Sequence, residues 1–183
     1  MLISICGKSG SGKSTLSNEL VKTYGKKVIH VDVDKIAHNI LKNEEVKREL
    51  VKKFGNNILN NNLIDRKKLG KIVFNSDVKM SLLSVITWDF MQKEIDKIIE
   101  SNKNKIIVLD YILIYKTEYF YKSDIKILLD VPYEIRRDRC MLRDKISEDE
   151  FILREKASIG YNENDFDFVL KNSEDLKKVK IYE

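Results

Sequence analysis

The sequence predicts an α/β protein: a parallel sheet between two layers of helices (three-layer α/β/α), carrying a helical insertion and a lid. Three observations predict it. Short continuous apolar runs alternate with helical patterns along the chain, and a glycine-rich turn joins the first run to the first helical pattern. Residues 34–100 then read almost wholly helical between two strands. Apolar runs with no polar alternation are the mark of parallel strands covered on both faces by helices.

Leu2–Cys6 reads as the first strand, and Ser14–Tyr24 as a helix with Leu16, Leu20 and Tyr24 on one stripe. Lys27–Val31 reads as the second strand, closed by Asp32. In the insertion Ile36, Ile40 and Leu41 form one face, Val46, Leu50, Val51 and Phe54 another, and Leu83 to Ile99 a longer one. The asparagine-dense NNILNNN at 56–62 reads as a loop between helices. Lys105–Leu109 and Ile125–Leu129 read as buried strands, and the single proline, Pro132, as the start of a helix bearing Arg136, Arg137, Arg139 and Arg143. Ser147 and Glu150 form a capping box for the next helix. FDFVLKN reads as a last short strand, and SEDLKKV as a last helix. The expected organisation is one domain over residues 1–183, with the insertion at about 34–100 and the lid at about 140–160.

Lys and Arg number 34 against 29 Asp and Glu, a net charge of +5 spread along the chain. That balance suits a solvated protein handling a polyanionic small molecule, and no aromatic-studded basic stripe supports nucleic-acid binding. Cys6 and Cys140 lack CxxC spacing, which implies two reduced, buried thiols and a cytoplasmic chain. MLISIC is too short for a signal-peptide core or a membrane span, and no other stretch reaches membrane length. The expected partner is a small-molecule substrate, with no nucleic acid and no membrane, for a monomer or weak homo-oligomer.

Gly7-Lys8-Ser9-Gly10-Ser11-Gly12-Lys13-Ser14 fits GxxxxGK[ST] at every required position, and Thr15 follows. Its glycines let successive N–H groups turn inward as an anion nest at a helix N-terminus. Lys13 brings a point charge to the β- and γ-phosphates, and the Ser14 hydroxyl is a ligand for Mg²⁺. A metal-side carboxylate belongs after a buried strand; Asp110 and Asp130 both qualify, and Asp110 is favoured. Asn102-Lys103-Asn104-Lys105 lacks the acid of a guanine-reading motif, which argues against a GTPase. A length of 183 residues argues against a large mechanochemical ATPase too. A small-molecule kinase remains, whose lid arginines spread the charge of the transferring phosphoryl group. Arg136, Arg137, Arg139, Arg143 and Arg154 are the candidates, with Arg136 and Arg137 reading as a solvated helix face.

Beyond the loop, Asp32-Val33-Asp34-Lys35-Ile36-Ala37-His38 resembles the DADxIA segment of dephospho-coenzyme A kinases. Ile64-Asp65-Arg66-Lys67-Lys68-Leu69-Gly70 with Ile72-Val73-Phe74 is similar to that family's IDRxxLGxxVF block. Leu129-Asp130-Val131-Pro132 with Arg139 and Arg143-Asp144 resembles the segment leading into its lid, and Phe168 to Ser173 its C-terminal VIDNSG. The resemblance runs in order from about residue 3 to 178. It implies ATP-dependent phosphorylation of the ribose 3′-hydroxyl of dephospho-CoA, with Asp34 as the base and Asp32 beside it near the metal. It further implies Arg139 and Arg143 as lid catalysts and Asn172 on the nucleotide side. Thr87-Trp88-Asp89 and Tyr111 to Tyr115 depart from the family's usual residues, both on the acceptor side. Asp34 also reads as a helix N-cap, Trp88, Tyr111 and Tyr115 as adenine stackers or core, and His30 as structural. His38 follows the family pattern near the acceptor. A kinase of another nucleotide-like acceptor, and a nucleotide-binding module without turnover, are the alternative functions.

Overall fold

A computed structural model describes residues 1–74, 76–156 and 158–171. In chain order it contains β1 (Leu2–Cys6), α1 (Lys13–Tyr24), β2 (Val28–Asp32), α2 (Val33–Ile40) and α3 (Glu44–Phe54). Next come β3 (Leu59–Asn60), β4 (Leu63–Ile64), α4 (Arg66–Val73) and α5 (Asp77–Ser101). The chain then forms β5 (Ile106–Asp110), α6 (Glu118–Lys122), β6 (Ile125–Leu129), α7 (Tyr133–Asp144), α8 (Glu148–Lys156) and β7 (Phe168–Leu170). The expected helix over SEDLKKV, and Asn172, lie outside the described residues.

Two compact units result. The first joins Met1–Asp32 to the described residues from Asn102 onward; the second is Val33–Ser101. In the first unit the sheet order is β2-β5-β1-β6-β7, with every pairing parallel. Ile3, Ile5, Leu16, Leu20, Val108, Ile127 and Leu129 are buried together, which explains why those strands carry no polar alternation. Register puts Asp32 opposite Asp110, and Ile5 opposite Asp110. The ends of β1, β2 and β5 therefore share one sheet edge, the carboxyl edge where open α/β sheets hold ligands.

The second unit is helical, with Val46, Leu50, Ile58, Leu69, Val73, Met91 and Ile95 in its core. Asn43 caps α3 by accepting from the N–H groups of Glu45 and Val46. The 56–62 stretch is not a loop: β3 and β4 pair antiparallel as a small hairpin. Its turn is Asn61-Asn62, with φ of 48° and 61°. Asparagine tolerates that left-handed region, so two of them close a tight hairpin where most residues would strain it. Asp34 lies inside the first turn of α2 rather than at its cap.

Candidate active site

The chain leaves β1 at Cys6 and turns through residues 7–12 into α1. Gly12 precedes α1 in the left-handed region, with φ of 98°. Gly10 has φ of 79°, and a Cβ there would lie 2.5 Å from the Arg136 carbonyl oxygen and 2.9 Å from Cys140 Sγ. Its glycine is required by close approach as well as by torsion. The Ser11 N–H donates to the Lys8 carbonyl (3.1 Å), closing the turn. Ser11 Oγ is buried and has no hydrogen-bond partner among the described residues.

Lys13, Ser14 and Thr15 open α1, and no acidic residue stands in its first turn to oppose an anion. Ser14 Oγ donates to Asp110 Oδ2 at 2.6 Å, and Asp110 is only 3% exposed. Asp130 is exposed, so the carboxylate beside the loop is that of Asp110. His30 Nε2 lies 3.4 Å from the same Asp110 oxygen. A hydroxyl and a carboxylate are the hard oxygen donors that suit a magnesium ion keeping several of its waters.

The outer wall of the loop comes from α7 and α8. Arg139 Nη1 donates to the Gly10 carbonyl at 3.3 Å. Arg136, expected on a solvated face, is 5% exposed. Its Nε donates to the Val131 carbonyl (2.8 Å), and its Nη1 and Nη2 chelate Glu155 at 2.7 and 3.0 Å. Lys8 Nζ donates to Glu155 Oε1 at 2.7 Å. The Arg136 guanidinium, with Lys8 adding to it, holds the Glu155 carboxyl down from its ordinary 4.5 to about 2. Sequence reading missed this network because Glu155 sits 19 residues from Arg136, in a separate helix; no local pattern announces it.

Arg143 makes its polar contacts with Asp144, which Arg154 also engages. The two guanidiniums, Arg143 first, hold the Asp144 carboxyl down to about 2. Tyr115 packs against Phe120, Tyr161 and Phe166 with ring centroids 4.9–5.6 Å apart, and its hydroxyl donates to Asp165. It is a packing residue of the first unit. Both cysteines are free and buried, and burial pushes the Cys6 thiol up to about 12.

In the second unit Asp34 and His38 are both exposed, one turn apart on α2 and so on one helix face. Arg66 Nη2 donates to His38 Nε2 at 2.8 Å. Asp65 caps α4 by accepting from the N–H groups of Lys67 and Lys68, which fixes Arg66 at its first position. Between α2 and α5 lies a cleft of about 440 Å³ lined by Ile36, Asn39, Ile40, Phe90, Lys93 and Ile98 among others. Thr87 Oγ1 donates back to the Leu83 carbonyl within α5.

A parallel sheet with a GxxxxGK[ST] loop at its carboxyl edge, a hydroxyl–carboxylate pair beside it and arginines behind it defines a P-loop kinase. The family model described as dephospho-CoA kinase matches residues 1–178. Dephospho-CoA kinase from Fusobacterium nucleatum is 33% identical over 97% of this chain and 92% of its own. That from Aquifex aeolicus is 34% identical over 99% and 95%. The solved structure of dephospho-CoA kinase from Campylobacter jejuni is 27% identical, with a TM-score of 0.62 over 97% of this chain and 92% of that one. The chain belongs to the dephospho-CoA kinase family, a family of ATP-using phosphotransferases. Among the described residues, no helix is long and apolar enough to cross a membrane.

Proposed function

We propose that the chain transfers the γ-phosphoryl group of ATP to the ribose 3′-hydroxyl of dephospho-CoA, giving coenzyme A and ADP. The observation that carries the reading is the Ser14–Asp110 pair beside a glycine loop at a helix N-terminus, in a chain of this family. The nest of residues 7–12 and the N-terminal dipole of α1 hold the phosphates, and Lys13 adds a point charge. Ser14 and Asp110 would hold Mg²⁺, with Asp32 on the same sheet edge. When bound, the ion neutralises phosphate charge. Asp34 orients the acceptor hydroxyl and takes its proton as the new oxygen–phosphorus bond forms and the bond to the β-phosphate oxygen breaks. Arg139 and Arg143 offset charge on the transferring group.

In this reading the chain is one catalytic domain, the insertion carries the acceptor side, and α7 with α8 forms the lid. The two free, buried cysteines suit the reducing cytoplasm. The test is incubation with Mg-ATP and dephospho-CoA, beside a panel of nucleosides and nucleotides. Coenzyme A formed in proportion to enzyme is the expected result. Turnover of a panel member with higher kcat/KM would assign another acceptor. ADP binding without turnover of any would leave a binding module.

A further inference from the structure

The Lys8–Glu155–Arg136 network takes no part in the reaction just described, yet it meets the phosphate loop at Lys8 and Ser9, with Arg139 beside it on Gly10. Arg136 Nη1 lies 3.5 Å from the Ser9 carbonyl, Arg139 Nη1 holds the Gly10 carbonyl at 3.3 Å, and Lys8 is itself a loop residue. In a trans peptide the carbonyl and the following N–H point in opposite directions. A guanidinium that holds the Ser9 carbonyl toward α7 therefore turns the Gly10 N–H to the other side, away from α7. Arg139 fixes the next peptide in the same way, and that peptide's N–H closes the turn on Lys8. Carbonyls pointing into an anion site would repel phosphate, so the outward hold favours the binding geometry.

Arg136 cannot do this alone. It is nearly buried, and Lys8 places a second cation on the same wall. Without an anion between them the two charges would repel, and the buried guanidinium would carry an uncompensated desolvation cost. Glu155 supplies that anion, chelating Arg136 with both oxygens and holding Lys8 with one. We infer that Glu155 and Arg136 are positioning residues for nucleotide binding: the carboxylate on α8 fixes the guanidinium that holds the phosphate loop open to anions. Neither side chain needs to touch the nucleotide. The inference rests on the loop holding phosphates, not on which acceptor is used.

The test is ADP affinity by titration calorimetry, with kcat and KM for ATP measured alongside. Glu155→Gln is expected to weaken ADP roughly tenfold, the scale of one lost charge-assisted hydrogen bond, and to raise KM for ATP with kcat little changed. Arg136→Lys, which keeps the charge but loses the fork, falls between it and the parent protein. Lys8→Gln removes one arm at a half-buried position and is expected to weaken ADP roughly twofold to threefold. A folded Glu155→Gln protein that binds ADP like the parent overturns the inference, as does a fall in kcat with ADP affinity unchanged. Should Glu155→Gln fail to fold, parental ADP affinity in Lys8→Gln overturns it. ADP binding needs no acceptor, so a protein inactive on dephospho-CoA leaves this result readable.

Discussion

The phosphate-loop unit and the helical unit hold their candidate groups in opposite ways. In the first, Ser11, Asp110 and Arg136 are buried, and Asp110 and Arg136 are tied to partners from other elements. In the second, Asp34 and His38 are displayed on the exposed face of α2, and Arg66 reaches His38 from α4. The difference follows from what each would bind. Phosphate is held by backbone N–H groups, and backbone can be aimed only by fixing the whole turn and the wall behind it. An acceptor hydroxyl needs a carboxylate at a hydrogen-bonding distance, which a helix face can present without rearranging a core.

The largest effect that sharpens this contrast is Asp34→Asn. Activity should fall at least about 10²-fold in kcat, the scale of a positioned acid–base group, while ADP affinity stays within twofold. Calorimetry and initial rates on one preparation decide it; lost ADP binding would break the division of labour. Gly10→Ala is the counterpart in the loop unit. The new Cβ meets the Arg136 carbonyl oxygen at 2.5 Å on a residue with φ of 79°. Strain of about 1–3 kcal/mol is expected, lowering Tm by several degrees and ADP affinity by roughly tenfold. Parental affinity would mean that the turn is shaped by the ligand rather than by the fold.

A smaller effect is read by pH. Glu155, held by Arg136 and Lys8, titrates in the folded chain at about 2 against an ordinary 4.5. Asp144, held by Arg143 and Arg154, stands at about 2 against 3.8. Depressed carboxyls stabilise the fold above their unfolded values, and that stabilisation is lost as pH falls toward 2. Melting temperature should be flat in this respect above pH 5 and drop between about pH 4.5 and 2. Glu155→Gln should make the drop shallower; an identical profile in the variant would assign the acid sensitivity elsewhere.

How much of this was legible in the sequence divides along the same line. The strands β1, β2, β5 and β6 are readable because each is a short, mainly apolar run, and the loop because GxxxxGK[ST] has one physical solution. β2 and β5 each end on the Asp that the pattern left outside, since Asp32 and Asp110 still pair in the ladder. The Ser147–Glu150 capping box is present, with Ser147 N–H donating to Glu150 and Glu150 N–H to Ser147 Oγ. The β3–β4 hairpin carries a signal as well, three adjacent asparagines, Asn60 to Asn62, between Leu59 and Leu63. Arg136 carried none: alone it is one of several arginines on a helix, and only the return of α8 with Glu155 explains its burial.

The smallest predicted effect tests whether the two units report separately. Asn43 Oδ1 accepts from the N–H of Glu45 at 2.8 Å and of Val46 at 3.3 Å, satisfying donors that α3 cannot satisfy itself. Asn43→Ala should cost about 1 kcal/mol and lower Tm by roughly 2–4 °C for a chain of this length. ADP affinity should not move, because the capped N–H groups belong to α3 of the helical unit, not to the phosphate loop. A shift in ADP affinity as large as that of Lys8→Gln would mean that stability in the helical unit feeds the phosphate loop. The donor and acceptor halves would then be one cooperative device, and the separation drawn from Asp34→Asn would have to be given up.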